Sequence, residues 1–240
     1  MRMLIELVPY ENGKISLPIG YNNILQGFFY SLFSSKMANF LHSKGFLYEK
    51  RGLKLFTFSK ITGVKFSIVD KIIHFVPPIR VYFSSAVENV AIDVVETLIK
   101  KEVLKLGNNR VMINNLKILS LPEFDFGGIY KTLSPISVYS TTERRRYFTP
   151  NDTEFRILIQ ENIRKKYEIL VEKKLKDFEF SIEAIGKFKH AVIRYKGGIK
   201  EGVEGKFFIK CPPEIMQRVY DAGIGANTSS GFGMIRIENV

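Results

Sequence analysis

The sequence predicts an α+β protein, because runs that alternate like β-strands and runs with helical apolar spacing follow one another along the chain. The order β, α, β, β, α, β occurs twice, which is the order of a ferredoxin-like (RRM-like) domain. The chain has 240 residues, enough for two such units of about 120 residues each. We therefore predict two tandem ferredoxin-like domains, residues 1–122 and 123–240, with a linker at 122–128.

The elements of the first half follow from the spacing of its apolar residues. Between Ile24 and Leu41 they recur at intervals of three and four, as on a helix, and Val87–Leu106 is also amphipathic. Alternating or β-rich runs predict the strands. In order, we expect a strand at 3–8, a helix at 24–41, strands at 54–59, 64–69, 71–75 and 79–84, a helix at 87–106 and a strand at 111–119.

The second half repeats this order without a detectable repeat of residues. Asp152 or Thr153 can cap a helix, since Asp and Thr accept hydrogen bonds from the first helical N–H groups. In order, we expect a strand at 132–139, a basic turn at 143–147, a helix from 152 or 153 to 175, strands at 177–185, 190–196 and 203–210, a short helix from 212 to 222 and a strand at 232–238.

The charge of the chain favours a polyanionic partner. Lys and Arg number 36 and Asp and Glu 24, which gives a formal net charge of +12. Half of this excess lies in residues 36–71, which contain eight basic and two acidic side chains. A concentrated charge of this kind is typical of a nucleic-acid-binding face, although a solvated basic surface would look the same in the sequence.

Composition also excludes several classes of protein. No apolar run reaches the length of about 18 residues that spans a bilayer, and the N-terminus lacks the apolar core of a signal peptide. The single cysteine, Cys211, excludes an intramolecular disulfide and a cysteine-based zinc site. We therefore expect a cytoplasmic protein.

A glycine-rich segment precedes the last predicted strand. It runs Gly223-Ile224-Gly225, then Ala226–Ser230, then Gly231-Phe232-Gly233. Glycines allow positive φ, and exposed backbone N–H groups there could hold phosphates, although a tight structural turn would use the same residues. The segment is not a Walker A loop, since no Lys follows, and it lacks the strand–turn–helix order of a dinucleotide-binding motif.

These motifs together resemble a known family. The glycine-rich segment on a basic chain of two ferredoxin-like units is similar to the repeat-associated RNA-binding protein superfamily of CRISPR systems. The segment Leu25–Tyr30, the residue His42, the segment Gly52–Ser59 and the segment Thr132–Ile136 resemble the CRISPR-associated endoribonuclease that cuts precursor repeat RNA. The resemblance covers essentially the whole chain.

The resemblance implies a catalytic role for three residues, Tyr30, His42 and Lys54. It implies cleavage without metal or other cofactor by attack of the ribose 2′-OH, leaving 2′,3′-cyclic phosphate and 5′-OH ends, for guide RNA maturation and antiviral defence. His42 would be the general acid, Lys54 would stabilise the phosphate, and Tyr30 would position or deprotonate the 2′-OH. Which of Tyr30 and His42 is the base stays open.

The spacing of Tyr30 and His42 makes a structural demand. On one straight helix these residues would lie about 18 Å apart along the axis, too far to share a phosphate. If both act there, the helix must end or bend near Ser34–Lys36. A serine at this point is a good helix N-cap.

RNA-binding residues are expected in two places. Arg144, Arg145 and Arg146 lie in a predicted turn beside Tyr147 and Phe148, and arginines with aromatic rings suit phosphate contact and base stacking. In the glycine-rich segment, the candidates are Gly223, Gly225, Asn227, Ser229, Ser230, Gly231 and Gly233.

The expected partner is single-stranded or hairpin CRISPR repeat RNA, with no membrane, and the protein would be a monomer or homodimer. Two alternatives remain. One is a non-catalytic relative that binds repeat RNA or serves in a CRISPR effector complex, which can lack the histidine that this chain has at position 42. The other is a general RNA-binding protein of two RRM-like units, which is disfavoured because no strand carries the RRM signature.

Overall fold

The computed structural model of the chain describes residues 1–63, 65–140 and 146–238. The α+β prediction is confirmed, since helices pack on antiparallel sheets in both halves. Each half also has its own cluster of buried apolar residues, one drawn from Met3 to Val111 and the other from Tyr130 to Ile235. The domain limits at 122 and 123 stay a prediction.

The first unit is built on an antiparallel sheet with strand order β5-β8-β1-β10-β9. Within it, strands β5, β8, β1 and β10 lie in the order of a ferredoxin-like sheet. The elements are β1 (Arg2–Pro9), β2 (Ile15–Pro18), α1 (Asn22–Leu32), α2 (Ser35–Ser43), β3 (Phe46–Tyr48), β4 (Arg51–Leu53), β5 (Phe56–Phe58), β6 (Phe66–Val69), β7 (Ile72–Phe75), β8 (Ile79–Ser85), α3 (Glu88–Lys100), β9 (Leu104–Leu106) and β10 (Asn109–Leu119).

The second unit repeats this topology with the strand order β14-β15-β11-β16. Two 3-10 turns, Tyr220–Ala222 and Thr228–Ser230, lie between its last helix and last strand. The elements are β11 (Gly127–Thr132), β12 (Tyr139–Ser140), β13 (Arg146–Tyr147), α4 (Thr153–Val171), β14 (Ser181–Tyr195), β15 (Gly198–Lys210), α5 (Pro213–Val219) and β16 (Ile235–Glu238).

Helix α1 is held on the first sheet by one apolar face. Leu25, Phe28, Phe29 and Leu32 recur at helical spacing and are buried. The Phe29 ring packs 4.9 Å from that of Phe58 on β5. Burial of each such side chain contributes roughly 1.5–3 kcal/mol, so the orientation of α1 about its axis is strongly determined.

Some predicted elements are wrong in their limits. The helix expected over 87–106 ends at Lys100, and Leu104–Leu106 instead forms a strand whose leucines are buried on either side of an exposed lysine. The two strands expected at 177–185 and 190–196 are one strand with an irregular register between Ile185 and Lys189. No helix in the described residues is long and apolar enough to cross a membrane.

The first strand of the second unit, Gly127–Thr132, begins in the last two residues of the expected linker and lies ahead of the strand expected at 132–139. Glycine at its start leaves room for the ring of Phe208 on the paired strand, which would lie 2.9 Å from a Cβ at Gly127. The sequence pattern also missed the short strands β2, β3 and β4, which pair through contacts made in the folded chain.

A buried ion pair joins the two units. The Arg2 guanidinium, on β1, pairs with Asp221 at 3.1 Å and donates to the carbonyl of Ile235 at 2.7 Å. It also lies 3.9 Å from the centre of the Tyr220 ring. Since both charges are buried and hydrogen-bonded, losing either partner would leave an uncompensated charge, and this contact favours one arrangement of the units.

Candidate active site

A short non-helical segment separates the helices that carry Tyr30 and His42. Helix α1 ends at Leu32, Phe33 is extended, and α2 begins at Ser35. The Oγ of Ser34 accepts a hydrogen bond from the N–H of Met37 at 3.3 Å, which is the N-cap that the sequence suggested. The structure therefore meets the demand that the Tyr30–His42 spacing imposes.

His42 lies in the last turn of helix α2 and is exposed. The N–H groups of Lys44 and Gly45 both donate to the carbonyl of Phe40, at 3.0 and 2.7 Å, and Gly45 has a φ of +64°. The ring of Phe46 then packs on that of Phe40 at 5.1 Å. This is a glycine-terminated helix end with its usual apolar contact.

Lys54 lies against this helix end. A Cβ at Gly45 would lie 3.0 Å from the Lys54 Nζ and 2.5 Å from the carbonyl oxygen of Leu53. A Cβ at Gly52 would lie 1.9 Å from the carbonyl oxygen of Lys44. Both glycines are therefore needed for the β3–β4 hairpin to pack on the end of α2, and this packing brings the segments of His42 and Lys54 together.

The electrostatics of Lys54 are those of an anion site. Its side chain is partly buried, and the loss of hydration lowers the pKa of its amine. Within the described residues, no carboxylate pairs with this ammonium. A half-buried cation without a counter-ion gains most from a phosphate oxygen.

Tyr30 packs on the core edge of the same region. Its ring meets those of Phe33 and Phe56 edge to face, at 5.6 and 6.0 Å between centres. Burial, and to a lesser degree the nearby Tyr195, raise the pKa of the Tyr30 phenol. At neutral pH the phenol is protonated, so it is suited to donating a hydrogen bond and poorly suited to removing a proton.

Polar residues on the same face of α1 contact the glycine-rich segment. Asn22, Gln26 and Tyr30 follow at intervals of four residues. The Gln26 Nε2 donates to the carbonyl of Ser229 at 2.8 Å, and the Asn22 Nδ2 donates to that of Gly231 at 3.3 Å. The segment predicted to hold phosphate therefore forms hydrogen bonds with the helix that carries Tyr30.

The long β14–β15 hairpin reaches the same face from the second unit. The Tyr195 hydroxyl, at the hairpin tip, donates to Gln26 Oε1, and the Ser230 Oγ donates to Tyr195 at 3.2 Å. Lys200 donates to the Ser230 Oγ at 2.9 Å, with its ammonium 3.8 Å from the centre of the Tyr195 ring.

Sequence reasoning missed Gln26, Tyr195 and Lys200. The available signal was the polar pair Asn22 and Gln26, eight and four residues before Tyr30 and therefore on the same face of the helix. Nothing local linked Tyr195 or Lys200 to this helix, because the hairpin tip reaches it only in the folded chain.

The glycine-rich segment is buried rather than exposed. All four glycines have positive φ, and a Cβ would lie 2.0 Å from the Ile224 carbonyl oxygen at Gly233 and 2.5 Å from the Phe58 ring at Gly231. The N–H of Gly231 donates to Thr228, and that of Gly233 donates to Pro135. The expectation of exposed N–H groups is therefore wrong for these glycines, whose conformation serves the joint between the units.

Three further members of the segment also donate hydrogen bonds within the protein. The N–H groups of Gly223 and Ser230 donate to backbone carbonyls, and the Asn227 side chain donates to the Ser137 Oγ at 3.2 Å. Gly225 is buried, and a Cβ there would lie 2.7 Å from the Ser137 carbonyl oxygen.

A buried lysine of the second unit forms hydrogen bonds with the glycine-rich segment. Lys166, on α4, donates to the carbonyls of Gly223 and Gly225 at 2.6 and 3.3 Å. Burial lowers the pKa of Lys166 to about 7. Its two carbonyl partners compensate in part for the loss of hydration, so the lysine ties α4 to the loop.

Of the arginine cluster, the structure describes Arg146. Arg144 and Arg145 lie outside the described residues. Arg146 is exposed, pairs with Asp152 at 3.1 Å and lies 5.1 Å from the centre of the Phe148 ring. Phe148 is buried in the second core, so the expectation that it stacks on a base is wrong.

Comparisons with known proteins agree along the whole chain. Residues 16–117 match the family described as "CRISPR-associated protein Cas6, N-terminal", and residues 119–237 match "CRISPR associated protein Cas6, C-terminal". The chain is 30% identical to the "CRISPR-associated endoribonuclease Cas6" of Pyrococcus furiosus, over 99% of this chain and 90% of that protein.

Two solved structures are similar over the full length. One, described as "Characterization of a Cas6-related gene from Pyrococcus furiosus", has a TM-score of 0.83 and 25% identity, covering 100% of this chain and 98% of that one. The other, described as "An RAMP protein binding different RNA substrates", has a TM-score of 0.82 and 25% identity, covering 100% of both chains.

Proposed function

The chain belongs to the Cas6 family of CRISPR-associated proteins and is an endoribonuclease of CRISPR repeat RNA, and from this premise we propose how it cuts. The cut requires no metal ion, because the ribose 2′-OH beside the scissile phosphate is the nucleophile. The products carry a 2′,3′-cyclic phosphate on one side and a 5′-OH on the other. The substrate is precursor repeat RNA, and the product is guide RNA for antiviral defence.

One observation carries this proposal: the packing of Lys54 on the glycine-terminated end of the helix that presents His42. It joins a proton-transfer group and an uncompensated cation on two elements in direct contact. The lowered pKa of Lys54, caused by burial, is consistent with a site that gains a phosphate when RNA binds.

The chemical step balances as an internal transesterification. The 2′-oxygen forms a bond to phosphorus while the bond from phosphorus to the 5′-oxygen breaks. The proton of the 2′-OH passes to solvent, and His42 in its protonated form gives a proton to the departing 5′-oxygen. Lys54 lies against a non-bridging oxygen and stabilises the charge that develops there.

Tyr30 acts in this scheme as a hydrogen-bond donor. Its raised pKa keeps the phenol protonated at neutral pH, so it orients the 2′-OH or the phosphate and does not act as the base. The contacts of α1 with the glycine-rich segment hold the helix in place for this role.

RNA binding by the two sequence-predicted regions is part of the proposal. The exposed Arg146 can exchange its partner Asp152 for a phosphate, since surface ion pairs are weak. Arg144 and Arg145 stay predictions, as do the seven positions of the glycine-rich segment, whose buried glycines act through the shape of the loop. The RNA-binding relative with the same fold supports an RNA path across both units.

The test is cleavage of repeat RNA in EDTA by the wild-type protein and by His42→Ala. We expect cutting in EDTA, with a rate lower by about 10²–10⁴-fold in the variant, as for loss of a general acid. End analysis should find a 5′-OH and a cyclic phosphate. Asn39→Ala, an exposed change on the same helix, should cleave normally.

Three results would contradict the proposal. Loss of wild-type cleavage in EDTA would require a metal ion in the reaction. Unchanged cleavage by His42→Ala would remove the histidine from the step. Binding without cutting by the wild-type protein would instead favour a non-catalytic repeat-binding role.

A further inference from the structure

A cavity of about 200 Å³ lies beside the candidate active site, where the two units meet. One wall is the β4 segment with Arg51 and Leu53, directly before Lys54. The facing walls come from the second unit: helix α4, the chain at 137–139 and the first turn of the glycine-rich segment. Neither unit alone would form it.

The charged groups at the cavity favour an anionic ligand. Arg51 and Lys165 line it, and within the described residues neither forms an ion pair. The single carboxylate of the lining, Glu161, pairs with Arg164 at 3.4 Å. Two cations are therefore available at the rim for a phosphate group.

The remaining walls suit a flat, partly apolar group. Leu53, Val138 and Leu158 provide apolar surface, and Tyr139 provides an aromatic ring at the edge. Bases of single-stranded RNA bind in this kind of setting, between apolar or aromatic side chains with a phosphate held beside them. The volume accommodates one base and is too small for a helical stem.

Asn162 supplies a polar group that the protein itself does not satisfy. It lines the cavity from α4, and its Oδ1 is buried without a hydrogen-bond partner in the described part of the chain. A buried acceptor without a donor is costly, so a ligand N–H that reaches it after a small side-chain rotation would be bound favourably.

We propose that this cavity binds one unpaired base of the repeat RNA next to the cut. Asn162 accepts a hydrogen bond from an N–H on the edge of the base, and Arg51 and Lys165 hold the adjoining phosphate. The inference rests on the proposed function, because it takes the RNA strand to pass over Lys54. The cavity then selects which nucleotide lies beside the scissile phosphate.

The experiment measures binding and not cleavage. The probe is a repeat RNA with a 2′-deoxy sugar at the cut, in versions with a single abasic site at each of the positions near the cut. Wild-type protein should lose roughly tenfold in affinity with one of these versions, as expected for one bound base. Asn162→Ala should lose most of that difference, while Ile157→Ala, an exposed change on the same helix, should keep it.

Arg51→Gln is an independent variant on an exposed strand, so its folding is not in question. It should weaken binding of every probe and reduce the slope of log K against log salt by about 0.7, the value for one phosphate contact on a single strand. The cavity would be excluded as a base site if no abasic position separates the wild type from Asn162→Ala, or if Arg51→Gln leaves the salt slope unchanged.

The proposed function and this inference fail in different ways. Absence of cleavage of unmodified RNA with the abasic pattern retained would overturn only the nuclease proposal. Normal cleavage without the pattern would overturn only the base site.

Discussion

At the scale of single residues, burial changes Tyr30 and Lys54 toward their uncharged forms. It raises the pKa of the phenol and lowers the pKa of the amine. For Tyr30 this favours hydrogen-bond donation over proton removal. For Lys54 it favours the binding of an anion, because an anion compensates the charge that burial disfavours.

The first prediction concerns Tyr30→Phe. Loss of one hydrogen bond to a charged group should lower the single-turnover rate by about ten- to a hundredfold. Since the phenol stays protonated below its raised pKa, the ratio of wild-type to variant rates should be constant between about pH 6 and pH 9. A wild-type rate that rises with pH in this range, with no rise in the variant, would instead make Tyr30 the base.

The second prediction concerns Lys54. Lys54→Ala should lower the cleavage rate by about 10²–10³-fold, the usual cost of one group that stabilises developing charge. Because its pKa is lowered, the amine loses its proton at a lower pH than an ordinary lysine, so wild-type cleavage should fall at alkaline pH. Lys54→Arg stays charged and should lack that fall.

Lys50→Ala is the control for Lys54, since it removes an exposed charge from the same hairpin region. It should affect RNA affinity slightly and the rate hardly at all. If it reduced cleavage as much as Lys54→Ala, the effect would come from overall charge and not from a specific contact.

At the scale of elements, helix α2 is bounded by two local signals. Ser34 begins it with a side-chain cap, and Gly45 ends it with a positive φ. Ser34 separates the His42 helix from the Tyr30 helix, and Gly45 turns the chain so that the β3–β4 hairpin packs on the end of α2. The geometry of the candidate site thus depends on Gly45, a residue that takes no part in the proposed reaction.

The third prediction is that Gly45→Ala disrupts the site. A positive φ costs a residue with a Cβ about 1–2 kcal/mol, and the new atom would collide with the Leu53 carbonyl and displace the Lys54 ammonium. We expect lower stability in urea unfolding and a lower cleavage rate, with RNA affinity less affected.

Gly27→Ala is the matched control within α1. A Cβ there meets nothing within 4 Å, and alanine is the better helix former. This variant should gain about 0.5–1 kcal/mol of stability and cleave normally. Wild-type rates in both glycine variants would mean that the Lys54–Gly45 packing is not needed for cleavage.

At the scale of the whole molecule, the two units act as one through the glycine-rich segment. Lys166 holds the segment from α4, and Asn22 and Gln26 hold it from α1. The segment therefore links the core of the second unit to the helix that carries Tyr30.

The fourth prediction uses the lowered pKa of Lys166. Its pKa is about 7 in the folded protein and about 10.5 in the unfolded chain. Between these values the unfolded chain binds more protons, so this lysine makes stability rise with pH, by at most about 1.4 kcal/mol per pH unit. The free energy of unfolding in urea should be measured for wild type and Lys166→Met between pH 7 and pH 10. It should rise with pH more steeply in wild type, by this slope. Parallel pH profiles would contradict a lysine that is buried and largely neutral above pH 7.

The sequence alone was sufficient for the fold class and the family. Strand alternation and helical spacing are local patterns, and the ferredoxin-like order follows from them twice. The demand for a helix break near Ser34 could be stated without a structure because it follows from the spacing of Tyr30 and His42, and the Ser34 cap that meets it is a local feature.

Only the tertiary structure decided which residues surround the candidate site. Tyr195 reaches α1 from a hairpin more than 160 residues away in the chain, and Lys200 of the same hairpin contacts Ser230 of the glycine-rich segment. The cavity beside Lys54 is formed by both units. The glycine-rich segment is a joint because Phe58 and Pro135 lie against it. Local patterns depend on neighbours in sequence, whereas burial, pKa shifts and shared cavities depend on neighbours in space.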